Sequence, residues 1–314
     1  MSAAVSVIIP NLHSPVIGEV LRSLLAQANA LSGPLEVWVV GQDRHGQVQS
    51  SERVHSLPTA HAVSPARARN LGAAAAQGET LVFLDADCVP QPGWLAAMLD
   101  AAARWSDAGA ISGAMLPHGD TLPSHCGQIA RFHEHLNVNP PGQRRTLASF
   151  SLLVPRPVWR AVGGFDERFR FAAGEDLDLS VRMALGGHPL YFEPRAVVRH
   201  RPTRVGFRSL WRHDFRSGTQ SIVVRQRYPD YYQMRAWMRA PAAWILLSPA
   251  IALIRAVQIY AGPPRLWRYW RCAFWVALSK LAWCWGAAAG LMRAQRPAPS
   301  PAEQSAQAHP IDGQ

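Results

Sequence analysis

The sequence predicts an α/β fold over residues 1–205, a mostly parallel sheet flanked by helices, followed by a helical region of different character. Two observations carry this. Strand-length apolar runs alternate with helically spaced apolar residues through the first two hundred positions. Charge and aromatic content then change abruptly near residue 195. With 314 residues the chain can bury one large core or two smaller ones.

Residues 5–10 (Val-Ser-Val-Ile-Ile-Pro) read as a short apolar strand closed by proline. Over residues 16–28, Ile17, Val20, Leu21, Leu24 and Leu25 recur at helical spacing. Residues 35–40 form a second strand. Residues 65–76, with alanine at most inward positions, form a helix ending near Gly78, and 81–84 a third strand. This order favours a parallel sheet with right-handed crossovers. Ligands of such sheets bind at the carboxyl ends of the strands, so Pro10, Val40 and Asp85 are expected to converge on one crevice. Residues 92–104 give a helix with proline in its first turn, and 110–115 and 149–154 give strands. The His-, Pro- and Asn-rich stretch between those strands has little periodicity and reads as an acceptor loop. Residues 175–185 form a helix entered through Gly174, and 189–194 and 196–200 supply the last strands.

Residues 1–194 hold 14 Arg against 17 carboxylates, net −3, whereas 195–314 hold 17 Arg and Lys280 against four, net +14. Such asymmetry points to a polyanionic partner. Two apolar stretches, 240–254 and 272–292, follow the arginine-dense segment 195–239, and seven of the twelve tryptophans lie beyond residue 236. Trp beside Arg next to apolar helices fits an anionic membrane surface. No nucleic-acid-binding module is recognisable, so nucleic acid is not expected. The second stretch has the ~20 residues a span requires, but Lys280 sits near its centre, leaving in-plane helices, spanning helices and core helices all open. The expected organisation is a domain over 1–205, a membrane-associated helical region over 206–293 and a disordered tail over 294–314. Without a basic, apolar leader at Met1, the expected place is the cytoplasmic face of an inner membrane. The four cysteines are scattered and form no CxxC pair, so neither a structural zinc nor a disulfide is expected.

Two acidic knots carry the chemistry. Residues 81–87 (Leu-Val-Phe-Leu-Asp-Ala-Asp) are an apolar strand that stops on two carboxylates. Residues 173–178 (Ala-Gly-Glu-Asp-Leu-Asp) open a helix with three carboxylates in four positions. Carboxylates so close repel unless a cation or a shared proton compensates them, which suggests a divalent metal and a separate acid or base. A helix start also favours negative charge by itself, and Asp-x-Asp recurs by chance.

The wider context narrows these alternatives. Residues 69–87, from Arg-Asn-Leu-Gly to Leu-Asp-Ala-Asp, resemble a block of family 2 glycosyltransferases with the GT-A fold. The block from Arg156 to Arg182, with Val-Gly-Gly-Phe-Asp-Glu-Arg-Phe and Gly-Glu-Asp-Leu-Asp, resembles the same family's acceptor and catalytic-base region. The resemblance covers residues 5 to about 200. It implies an inverting transfer from a nucleotide-diphosphate sugar to a lipid-linked or membrane-near glycan acceptor. Asp176 would be the catalytic base, with Glu175 positioning the acceptor or Asp176. Asp87 would bind Mn²⁺ or Mg²⁺, and His200 falls where some members place a metal-ligating histidine, although a lone histidine is more often structural. Asp85 would contact the donor ribose or a metal-bound water; Pro10, Asn11, Asp43 and Arg69 complete the donor side. Gly163, Gly164 and Gly174 fall on the acceptor side. Several positions depart from the family. The first strand ends in Pro-Asn-Leu-His (10–13) rather than Pro-Thr-Tyr-Asn, and Gly-Gln-Asp (41–43) replaces the paired aspartates expected after the second. The Gln-x-x-Arg-Trp signature of processive members is absent, which favours single-residue transfer. A polyprenyl-phosphate glycosyltransferase, and a catalytically degenerate nucleotide-sugar-binding protein, remain the alternatives.

Overall fold

A computed structural model describes residues 5–28, 33–118, 121–201, 206–261 and 264–295. Most of the tail expected over 294–314 therefore lies outside the described residues. The N-terminal part runs β1 (Val5–Leu12), α1 (Ile17–Ala28), β2 (Leu35–Gln42), β3 (Val54–Pro58), α2 (Pro65–Ala75), β4 (Thr80–Leu84), β5 (Cys88–Pro90), α3 (Trp94–Arg104), β6 (Ala110–Pro117) and α4 (Leu122–Phe132). It continues through β7 (Gly142–Gln143), β8 (Ser151–Pro155), α5 (Arg156–Val162), α6 (Glu175–Leu185) and β9 (Leu190–His200). All nine strands form one sheet in the order β3-β2-β1-β4-β8-β6-β9-β5, with β7 paired to β9. β3, β2, β1 and β4 are mutually parallel. β8 runs antiparallel to β4 and β6, while β6 and β9 are parallel. The strands expected over 189–194 and 196–200 are one strand, β9, with a register shift against β6 between Gly113 and Ala114.

The pleat explains the burial. Val7, Ile9, Val37, Val39, Val82 and Leu84 share a core with α1 and α3, while Ile8, Leu81 and Phe83 face α2 and α6 on the other side. The alanine-rich α2 lies so close to the sheet that a Cβ on Gly72 would stand 2.5 Å from a methyl of Ile8. Strand order reverses around β1 and β4, and the crevice at such a switch point is where ligands bind. The ends of β1 and β4 therefore flank the candidate site.

Two expectations fail here. The stretch read as an acceptor loop contains α4, capped by the Thr121 hydroxyl, which accepts from the Ser124 amide at 3.3 Å. Two cysteines expected to be free are joined, Cys126 of α4 to Cys272; tertiary packing brings together residues 146 positions apart, which spacing rules for CxxC pairs do not detect.

The C-terminal part comprises α7 (Phe207–Arg227), α8 (Pro241–Leu246), α9 (Ser248–Ala261) and α10 (Ala273–Ala294). α7 and α10 approach until their backbones touch: a Cβ on Gly286 would lie 1.9 Å from the Phe215 carbonyl oxygen. The Thr219 hydroxyl donates across this seam to Gly286 at 3.2 Å. α10 also lies on α4, where the Lys280 ammonium donates to the Ala130 carbonyl at 2.7 Å and Arg131 pairs with Asp214 at 3.2 Å. Residues Leu266–Ala294 are long and apolar enough to cross a membrane, with mean hydropathy 1.3, but 44% of that apolar window is buried inside the protein. Leu246, Leu253, Ile254, Val257, Trp267, Trp270 and Phe274 remain exposed on α8, α9 and the turn into α10.

Candidate active site

The site is organised around one buried guanidinium. Arg69, on α2, is 2% exposed and donates to Asp85 at 2.6 Å and to Glu175 at 3.1 Å. Its charge also lies 5.2 Å from the centre of the Phe165 ring. Asp85 follows β4 and Glu175 opens α6, so Arg69 joins the end of a central strand to the start of a helix 90 positions later. Asn70, the next residue of α2, ties down the loop after α5, donating to the Phe165 carbonyl and accepting from its amide, both at 2.9 Å. Asn70 carries a role that sequence reading left unassigned, although it stands beside Arg69 in the quoted block.

Glu175 and Asp176 stand side by side at the start of α6. Burial, then the neighbouring Asp176, raise the Glu175 carboxyl against the pull of Arg69. Burial likewise raises Asp176, again opposed by Arg69. Glu175 Oε2 is buried without a hydrogen-bond partner, whereas Asp176 Oδ1 accepts from the Leu177 amide at 2.8 Å. A carboxylate with a raised pKa suits proton abstraction near neutral pH.

The third acid of the knot does something else. Asp178 is fully buried and accepts from Arg182 at 2.8 Å, Arg227 at 2.6 Å and the Tyr228 hydroxyl at 3.1 Å. Residues two apart on a helix point to different sides, so Asp178 docks α7 and Asp176 does not share its partners.

Asp87 and His200 meet because β5 pairs antiparallel with β9, placing Cys88 opposite His200. Asp87 Oδ2 stands 3.4 Å from His200 Nε2, and with Cys88 they form a three-residue group of metal-binding type. The donor set fits a hard divalent cation. Gln128, on α4, donates through Nε2 to the His118 carbonyl at 2.5 Å, so its Oε1 faces the His118 amide and His200 Nδ1, 3.3 and 3.1 Å away. That orientation puts a proton on Nδ1, so Nε2 is the ring nitrogen turned toward Asp87. Burial, then Asp87, hold the Cys88 thiol well above its usual range, so it stays a neutral thiol. Asp87 and His200 are therefore the ligands this structure can offer.

Two of the donor-side positions, Asn11 and Asp43, line a crevice of about 610 Å³ at the ends of β1, β2 and β3, together with His13, Gln42, Arg44 and Thr59 among others. Asn11 is buried; it donates to the Gln42 carbonyl at 3.0 Å and accepts from Ser14. Pro10 pairs with Val40 in the adjacent ladder. Asp43 folds its own loop, accepting from His45 at 3.2 Å and Val48 at 2.7 Å. His13, at positive φ, accepts from the Arg44 amide at 3.1 Å. Gly163 ends α5 with φ +75°, and Gly174 enters α6 with φ +93°. At Gly164 a Cβ would meet Asn70 and Trp159 at 2.9 Å, so this glycine lets the loop close over α2.

Known proteins resemble this chain in both sequence and fold. Residues 3–218 match the model described as glycosyltransferase like family 2. A pre-mycofactocin glycosyltransferase of Mycobacterium tuberculosis is 30% identical over 231 residues, covering 68% of this chain and 47% of that protein. An N-acetylglucosaminyl-diphospho-decaprenol L-rhamnosyltransferase of the same species is 31% identical, covering 49% and 56%. The chain thus spans about half the length of these curated relatives. In fold it is similar to a mannosyltransferase of Pyrobaculum calidifontis solved with GDP-mannose and Mn²⁺, with TM-score 0.59 and 19% identity over 94% of this chain and 89% of that one. It is also similar to GalNAc-T7 solved with UDP, GalNAc and Mn²⁺, with TM-score 0.51 and 15% identity over 71% and 48%.

Proposed function

Because the chain belongs to glycosyltransferase family 2, we propose that it moves a sugar, with inversion, from a nucleoside-diphosphate donor to a hydroxyl of a lipid-linked or membrane-near glycan. The observation that supports this most is the Arg69 bridge, which holds Asp85, at the end of β4, and Glu175, the chain neighbour of Asp176, on one guanidinium. The base and ribose lie against Asn11, Gln42 and Asp43, and the diphosphate toward Asp87 and His200. A divalent cation, Mn²⁺ or Mg²⁺, held by Asp87 and His200 would offset the charge that grows on the departing diphosphate. Asp176 takes the acceptor hydroxyl proton as the new C1–oxygen bond forms and the C1–phosphate oxygen bond breaks. Glu175 orients Asp176 and the acceptor, and Arg69 limits how far the pair's pKa rises. Support for a lipid-linked acceptor comes from the decaprenol-linked substrate of the rhamnosyltransferase relative. The exposed apolar face of α8, α9 and the turn into α10, within a stretch that has no Asp or Glu from 231 to 302, supports docking in the plane of an anionic membrane surface.

The test is nucleoside diphosphate release across a donor panel with Mn²⁺ and polyprenyl-diphosphate-linked acceptors. Asp176→Asn lowers turnover by about 100-fold or more while donor binding persists, and Asp87→Ala loses metal-dependent donor binding. Wild-type turnover by Asp176→Asn refutes the base assignment and turns the reading toward an acceptor phosphate as nucleophile.

A further inference from the structure

Beside the catalytic carboxylates lies a cation that the transfer step leaves unused. Arg225, near the end of α7, makes no ion pair among the described residues, and its Nε is buried without a partner. Its guanidinium lies between two rings, 4.8 Å from the centre of Tyr232 and 5.5 Å from that of Trp283. Burial, followed by the like charges of Arg255 and Arg145, lowers its pKa. The Tyr232 hydroxyl is also buried without a partner; burial pushes it up to about 12, so it stays a donor. Exposed Arg145 completes the group, 5.1 Å from the Tyr231 ring centre and bonded to the Tyr231 carbonyl, while the Tyr231 hydroxyl donates back to the Arg145 carbonyl at 2.6 Å.

A buried guanidinium Nε and a buried hydroxyl, neither with an acceptor, are costly unless an anion completes them. The position is what gives the group meaning. Arg227 and Tyr228 fasten this segment to Asp178, and a Cβ on Gly174 would stand 3.2 Å from that of Gln220. The end of α7 therefore runs alongside the first turn of α6, and the charge of Asp176 is felt at Tyr232. On its other side the group meets Trp283 of α10, within the helical region whose outer face is apolar.

We propose that Arg225 and Arg145, with the Tyr232 hydroxyl, form an anion subsite that takes the phosphate of a lipid-linked acceptor beside Asp176. This rests on the transferase reading above and adds to it the chemical class that selects the acceptor. Arginine suits the task because its planar fork matches phosphate oxygens.

Calorimetric titration of the full chain in metal-free buffer tests it, with farnesyl phosphate in detergent micelles as the probe. Farnesol, inorganic phosphate and short-chain phosphatidylglycerol serve as the other arms. Farnesyl phosphate binds, and Arg225→Gln weakens it about tenfold, the loss expected for one charge-assisted hydrogen bond. Arg145→Gln, at an exposed position, weakens it about fivefold by the same reasoning, and carries the test if the Arg225 variant does not fold. Farnesol binding is the same in all variants. Farnesyl phosphate affinity unchanged in both variants overturns the proposal. So does phosphatidylglycerol competing as well as farnesyl phosphate, which would assign these cations to the bulk bilayer. Binding of UDP and GDP with Mn²⁺ is measured in parallel; its absence in the unaltered chain would refute the transferase reading instead.

Discussion

Arg69→Met removes the one positive charge between two carboxylates, and its cost follows from their burial. At the Glu175 end both partners are almost wholly enclosed, with side chains 2% and 3% exposed. Deleting one member of such a pair leaves an uncompensated buried charge and costs about 3–5 kcal/mol. At the Asp85 end the carboxylate is 32% exposed, so water replaces the lost partner and that contact adds about 1 kcal/mol or less. Glu175 can relieve the cost by taking a proton. Its carboxyl is already raised by burial and by Asp176, and rises further without Arg69. A carboxyl whose folded pKa exceeds its unfolded value lets the native state hold more protons, so stability falls as pH rises through that range. The penalty is therefore small at pH 5 and larger at pH 8. At about 2–4 °C per kcal/mol for a chain of this order of size, a cost of about 3–5 kcal/mol lowers the melting point by up to roughly 6–20 °C at pH 8. Circular dichroism melts at both pH values, with Arg69→Met/Glu175→Gln recovering much of the loss at pH 8, provide the assay. A melting point within about 1 °C of the unaltered chain at pH 8, or an equal drop at both pH values, would refute this account of Arg69.

Two other consequences can be measured directly. Gln128→Leu frees the His200 ring from its fixed tautomer, so Mn²⁺ affinity, followed by electron paramagnetic resonance, falls about 10- to 100-fold; an unchanged dissociation constant would show that Gln128 does not orient the ligand. Burial lowers the Lys280 pKa to about 8, so the native state binds fewer protons than the unfolded chain up to its ordinary value of about 10.4, and stability rises with pH across that window. Lys280→Met abolishes that rise, and a slope that survives the substitution would place its cause elsewhere.

Much of this architecture is written in local pattern. β1, β2 and β4 are runs of Val, Ile and Leu long enough to stand out, and α1 and α6 show helical spacing. β3 escapes because an edge strand with alternate exposure, Val-His-Ser-Leu-Pro, buries only Val54 fully. β5 has three residues, too few for any period. α4 hides its turns behind Pro, Ser, His and Gly, although Thr121 before Leu-Pro is a helix start of the usual kind. In the site, Asp85, Asp87, Glu175 and Asp176 were visible as acids ending or opening elements. Asp178 looked equivalent to its neighbours, and only the docking of α7 tells it apart. Gln128 lies 72 positions from His200 and Arg225 has no motif around it; their roles arise from tertiary packing, which single-sequence spacing does not encode.

The Arg69 bridge also constrains how this chain can be recombined with its relatives. A chimera that takes residues through α2 from one parent and the segment from α6 onward from another inherits the guanidinium and its second carboxylate from different sources. Both crossover products must then keep arginine opposite an acid, or one receives an orphaned charge at the centre of its site. On the proposed assignment, nucleotide recognition at the β1–β2 crevice and acceptor selection beyond α5 are thus exchangeable modules only when exchanged in compatible pairs. The productive break point lies where that pairing is preserved.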